Sequence, residues 1–287
     1  MTIKDFLYNW VVPRGFINIY KELTSTNVTK KRRANNDDNL IFKNIHKGQR
    51  CFILASGPSI NEMDLLPLQN ENCIAVSSFF HHKDINTIRP KYHVLAPLHP
   101  PFDFNEAEIV FNGLEKNYNY SIDLFVGTNA FPYSYIEYIK MKPTKHIVHP
   151  INYQYSPQLN DKNRDDESVW DITQNPFSVR TVVFSAIQIA VYMGFKEIYL
   201  LGCDHDFLQR IGQYEGRHFY ESSKSFSDEK HLKQFNLEKM FLGHYNTWSA
   251  YRNMKEHLEP KGIKIYNASK KSMLDVFERV DLDSIIS

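Results

Sequence analysis

The chain has 287 residues, 42% of them hydrophobic and 23% charged, with a formal net charge of +1. That is the make-up of a globular protein with one large domain and room for a smaller appendage. The near-neutral balance gives no electrostatic footprint for nucleic acid. The sequence holds no run of eighteen apolar residues for a spanning helix and no signal-peptide pattern, so the expected location is cytoplasmic. Cys51, Cys73 and Cys203 sit in or beside apolar runs without C-x-x-C spacing, which reads as buried free thiols in a reducing compartment. The 17 Tyr and 20 Phe suit stacking or hydroxyl-rich recognition surfaces, and equally an AT-rich bacterial genome.

Residues 1–23 crowd Phe6, Leu7, Trp10, Val11, Phe16, Ile17 and Tyr20 around a Pro13-Arg14-Gly15 break. The segment is too short to cross a bilayer. It suits the membrane interface, where Trp and Tyr are favoured, and Lys30-Lys31-Arg32-Arg33 follows within reach of anionic headgroups. Residues 1–33 are therefore a candidate contact with the inner-membrane surface. The alternative is a packing arm or homo-oligomer contact. Residues 24–39 read as a polar linker, so residues 1–40 form an arm and the catalytic domain starts near Ile41.

Cys51–Ala55 is a short apolar run, the pattern of a strand buried on both faces. Ser56-Gly57-Pro58-Ser59 ends it, and Asn61–Leu66 continues with helix-compatible residues. Strand, small-residue turn and helix start is a geometry that aims backbone N–H groups at a phosphate; an ordinary tight turn fits equally well. Further buried strands are expected at Cys73–Phe80, Tyr92–Ala96 and Ile122–Gly127, a helix at Tyr133–Met141 and a short strand at His146–His149. Strands spaced by 15–25 residues are the mark of a parallel sheet with crossovers. Residues 153–176 read as a long surface excursion. Ser178–Met193 is apolar nearly all round, as in a helix packed on a sheet, and Gly194 caps it. Glu197–Gly202 is a strand that ends in Cys203-Asp204-His205-Asp206, at the edge where open α/β sheets bind ligands. Residues 207–242 read as a lid insertion. A helix over Asn246–Leu258, a strand over Ile263–Tyr266 and a helix over Ser272–Val280 complete the chain. The two flanking stretches, 41–206 and 243–287, together make the nucleotide-binding α/β domain.

Asp204-His205-Asp206 has the D-x-D form that can hold a divalent cation on a nucleotide diphosphate; a pair of acids at a strand end, one of them capping, is the plainer reading. His244, after Gly243, can serve as a general base because its pKa lies near working pH. His81, His82 and His99 are further candidates in loops after strands. Tyr214, Phe219 and Tyr220 lie in the insertion, and a phenol there can neutralise a departing phosphate. No G-x-S-x-G elbow, HExxH or cysteine-rich zinc pattern occurs.

Taken together, Ser56-Gly57-Pro58-Ser59, the block Thr181–Asp204 with G-F-K-E-I-Y-L-L-G-C-D, and Gly243-His244 resemble the bacterial sialyltransferases of glycosyltransferase family 42. Order and spacing agree over residues 50–280. The resemblance implies a variant GT-A fold: a Rossmann-like, mostly parallel sheet with helices on both faces, plus a lid. It implies inverting transfer of sialic acid, a related nonulosonic acid or Kdo from a CMP-sugar donor to a glycan or glycolipid acceptor, with no cofactor or metal required, in lipopolysaccharide or capsule assembly. His244 would be the general base. Ser56, Gly57, Pro58 and Ser59 would line the nucleotide with Ser77 or Ser78, Thr181 and Asp204. Tyr214 or Tyr220 would stabilise the leaving phosphate. The sequence departs from the family at donor-contacting places: Ser56 and Ser77 or Ser78 replace Asn, and Val182-Val183 replaces Ser-Gly. The rival readings are a pterin diphosphokinase-like enzyme, in which Asp204 and Asp206 would hold Mg²⁺ on ATP, and a non-catalytic nucleotide- or glycan-binding protein.

Overall fold

The computed structural model describes residues 36–98, 102–128, 133–153, 157–210 and 236–286. The N-terminal arm, its basic run, His99, Tyr214, Phe219 and Tyr220 lie outside them.

Eight strands form one sheet in the order β5-β4-β3-β2-β1-β6-β7-β8, every pair parallel. They are β1 (Arg50–Leu54), β2 (Cys73–Val76), β3 (Tyr92–Leu95), β4 (Asp123–Thr128), β5 (Ile147–Asn152), β6 (Glu197–Leu201), β7 (Lys264–Asn267) and β8 (Glu278–Arg279). The helices are α1 (Ile85–Ile88), α2 (Phe104–Asn117), α3 (Tyr135–Met141), α4 (Val182–Tyr192) and α5 (Leu237–Leu258).

β1 shows why the sheet is covered twice. Successive side chains point to opposite faces. Cys51 and Ile53 pack with Ile74, Phe125, Phe184, Tyr251 and Met254 on one side. Phe52 and Leu54 pack with Ala75, Leu124, Phe111 and Tyr138 on the other. Helices therefore lie on both faces, as the Rossmann-like reading expects. The three cysteines are free and buried. Among the described residues no helix is long and apolar enough to cross a membrane.

Four local expectations change. After Ser56-Gly57-Pro58-Ser59 the chain forms a 3-10 turn, Pro58–Glu62, and not an α-helix. Asp64 Oδ1 accepts from the Leu66 N–H, and a second 3-10 turn, Leu66–Asn70, follows with Pro67 in its first turn. Ser272–Val280 is not a helix either. Its polar groups serve the end of β6: the Met273 N–H donates to the Asp204 carbonyl at 2.7 Å and the Ser272 hydroxyl to the Cys203 carbonyl at 2.7 Å. Leu274 and Phe277 are buried in the core, which holds the segment extended. Residues 157–176 are more than a surface excursion: Leu159, Val169, Trp170 and Ile172 join the main core, while Asp161, Asp166 and Glu167 face solvent. Finally, α5 begins nine residues before Asn246. Asn236 caps it, its side chain accepting from the Lys239 N–H at 2.9 Å.

The fold also begins before Ile41. Asn39 is fully buried and donates to the Pro150 carbonyl at 2.8 Å, and Phe42 packs edge-on against Phe125 and His149.

Candidate functional site

In an open parallel sheet, ligands bind beyond the carboxyl ends of the strands where the order reverses. Here β1 neighbours β2 on one side and β6 on the other, so the reversal lies between β1 and β6. Ser56–Ser59 follows β1, Ser77-Ser78 follows β2 and Cys203–Asp206 follows β6. Thr181, at the start of α4, approaches the same edge. The fold brings these distant segments together.

The turn after β1 is bound closely to the end of β6. The Gly57 N–H donates to the Gly202 carbonyl at 2.9 Å. A Cβ on Gly57 would sit 2.4 Å from the Gly202 oxygen and 2.6 Å from Asp204 Cγ, so no larger residue fits. Asp204 Oδ2 accepts from the Ser59 N–H at 2.8 Å, and its Oδ1 accepts from the Ser59 hydroxyl. Both residues are buried. The turn does aim an N–H at an anion, and that anion is the protein's own carboxylate. Ser56, Gly57 and Pro58 remain half-buried around it.

Ser77 has φ +50°, a left-handed backbone that costs a non-glycine residue free energy. Its carbonyl accepts from His93 Nε2 at 2.8 Å. The carbonyl fixes the tautomer, so His93 Nδ1 accepts from the Tyr118 hydroxyl, also at 2.8 Å. Burial pushes the His93 pKa down to about 3, keeping the ring neutral. Ser77 and Ser78 are half-buried at the strand end.

Thr181 caps α4, its Oγ1 accepting from the Val183 N–H at 3.1 Å. Beside it Arg180 is half-buried and donates to the side-chain oxygen of Gln158. Among the described residues no carboxylate pairs with this guanidinium. Burial lowers its pKa, the cost of holding an uncompensated cation.

His244 lies inside α5, with Trp248 and Tyr251 on the same face at helical spacing. Its ring stacks on Phe207 at 5.5 Å and meets Trp248 edge-on at 6.4 Å. Its Nε2 is shielded from solvent and has no hydrogen-bond partner among the described residues. Desolvation lowers its pKa below 6.5. His205 lies between Phe207, Trp248 and Tyr251, with centroids 5.8, 5.7 and 5.3 Å away.

His82 is a packed ring stacked on Phe79 at 5.1 Å, and its Nδ1 accepts from the Asp84 N–H. His81 rests on Phe80. Asp206 is half-buried just beyond Asp204. Among the described residues no group of three or more His, Cys, Asp or Glu side chains is placed to hold a metal ion. The sequence reading missed Arg180, His205, Trp248 and Tyr251. The last two were signalled by their i+4 and i+7 spacing from His244.

No protein-family model and no curated protein matches the chain. Among solved structures it is similar to the sialyltransferase CstII from Campylobacter jejuni, in complex with a substrate analogue, cytidine-5′-monophosphate. The identity is 15% and the TM-score 0.47, over 82% of this chain and 85% of that one.

Proposed function

We propose that the protein is an inverting glycosyltransferase that moves sialic acid, a related nonulosonic acid or Kdo from a CMP-sugar to a hydroxyl of a glycan or glycolipid. The observation that carries this reading is His244. Its Nε2 is shielded from solvent and has no hydrogen-bond partner among the described residues, and its ring, whose pKa desolvation lowers, stacks on Phe207 just beyond the end of β6. The sequence motifs shared with family 42 sialyltransferases supply the donor class.

In this reading the acceptor hydroxyl gives its proton to His244 Nε2 as its oxygen attacks the anomeric carbon. The bond from that carbon to the CMP phosphate breaks on the opposite face, and the electron pair leaves with the phosphate. Arg180 and the N–H groups at the start of α4 offset the charge that builds there. Tyr214 or Tyr220 donates a phenolic proton bond to the same oxygens. Ser56 and Ser77 or Ser78 offer hydroxyls to the nucleotide. Ser59 and Asp204, occupied with each other, shape the floor on which it rests.

A thermal-shift panel tests the reading. CMP at about one hundred times its Kd should stabilise the protein by about 2.7 kcal/mol in EDTA. Stabilisation by ATP only with Mg²⁺ would replace this function with the diphosphokinase. No response to any nucleotide would leave a glycan-binding role.

A further inference from the structure

The imidazole of His205 is buried at the end of β6, where its backbone is held at φ +50°. Its Nε2 lies 3.0 Å from the Tyr251 hydroxyl, within hydrogen-bond distance. One hydrogen bond therefore joins Tyr251 on α5 to His205 at the end of β6.

Tyr251 is fully buried, edge-on to Phe184 at 4.4 Å and to Phe277 at 5.5 Å. Packing alone would accept phenylalanine there. The hydroxyl is what links α5 to the end of β6. His244 stands two helical turns earlier on the same face of α5, and the first turns of that helix are the exposed ones, with Leu237, Phe241 and Leu242 open to solvent. The Tyr251 hydroxyl is thus a buried polar point that holds α5 seven residues beyond His244, while nearer His244 the Trp248 Nε1 donates at the surface to Asp275 at 2.9 Å.

We propose that Tyr251 is a positioning residue: through its bond to His205 it sets the rotation and height of α5, and so the place of the His244 ring over the sheet edge. The proposal rests on the reading of His244 as general base. A misplacement of about 1 Å at a reacting group can cost about a hundredfold in rate, so loss of one hydroxyl can be felt two turns away.

The test is Tyr251→Phe in the full chain, read in two ways. The His244 ring signals, identified in the NMR spectrum by their absence in His244→Ala, should move in Tyr251→Phe without any ligand. With a CMP-sugar donor, kcat should fall about tenfold or more while the donor KM stays within about twofold. Unmoved His244 signals, with kcat changed less than about twofold and only the melting temperature lowered, would overturn the proposal and leave Tyr251 a packing residue. If the wild type transfers no sugar, the function fails, yet the NMR arm still decides whether Tyr251 positions His244. Should Tyr251→Phe not fold, His205→Gln and His205→Leu serve instead. Gln can still accept from Tyr251, so it should disturb the His244 signals less than Leu; equal effects would count against the proposal.

Discussion

Asp204 holds Ser59 by both of its carboxylate oxygens, one on the backbone N–H at 2.8 Å and one on the hydroxyl. These residues are 145 positions apart in the chain. Their pairing joins the turns that end β1 and β6, at the sheet edge where the strand order reverses.

Breaking that pairing should cost stability before it costs chemistry. Asp204→Ala leaves a buried N–H and a buried hydroxyl without their acceptor, a loss of about 1–3 kcal/mol for each such group. Gly57→Ala should be comparably harmful, because its methyl has no room beside the Gly202 carbonyl. Urea unfolding of both variants checks this, with midpoints expected to fall at unchanged m-value.

Arg180 should behave in the opposite way. It pairs with a neutral amide, so its removal strands no buried carboxylate among the described residues. Arg180→Ala should leave the melting temperature within a few degrees and raise the Kd for CMP by about tenfold or more, the worth of a charge-assisted bond of about 1.5–3 kcal/mol. Calorimetric titration of CMP measures it. An unchanged Kd would remove Arg180 from the phosphate site.

Acid should unfold the protein through its buried histidines. Burial holds His205 to about 4 and His93 to about 3 in the fold, against 6.5 for the free side chain. Between pH 6.5 and about 4 the unfolded chain binds protons at these rings that the folded chain refuses. Stability is therefore complete above pH 6.5 and falls as the pH drops, by up to about 1.4 kcal/mol per pH unit for each ring. His46, His81, His82, His146, His244 and His257 are displaced in the same direction, chiefly by burial. Chemical denaturation between pH 7 and pH 5 measures the slope, and His205→Gln should reduce it by about one proton.

The sheet was legible because strands buried on both faces leave a continuous apolar run, and C-F-I-L, C-I-A-V and E-I-Y-L-L each have one. The ends of elements were harder to read. The lid reading ended at residue 242, yet α5 runs unbroken from Leu237 through Gly243, which has open space around it. Ser272–Val280 carries helix-compatible residues, but Ser272 and Met273 spend their polar groups on Cys203 and Asp204. Of the site, the strand ends and His244 were visible because small residues and histidine stand out locally. The Tyr251–His205 bond spans 46 residues and leaves no local pattern. Nothing in the sequence shows that Ser59 reaches the Asp204 carboxylate across 145 residues.

The central claim is that His244 takes the acceptor proton in transfer from a CMP-sugar. The direct measurement is turnover and CMP affinity of His244→Ala beside the wild type. The account predicts that kcat falls by about 10²–10⁴-fold, the usual contribution of a positioned base, while the Kd for CMP stays within a few-fold. Turnover at the wild-type rate in His244→Ala would contradict it.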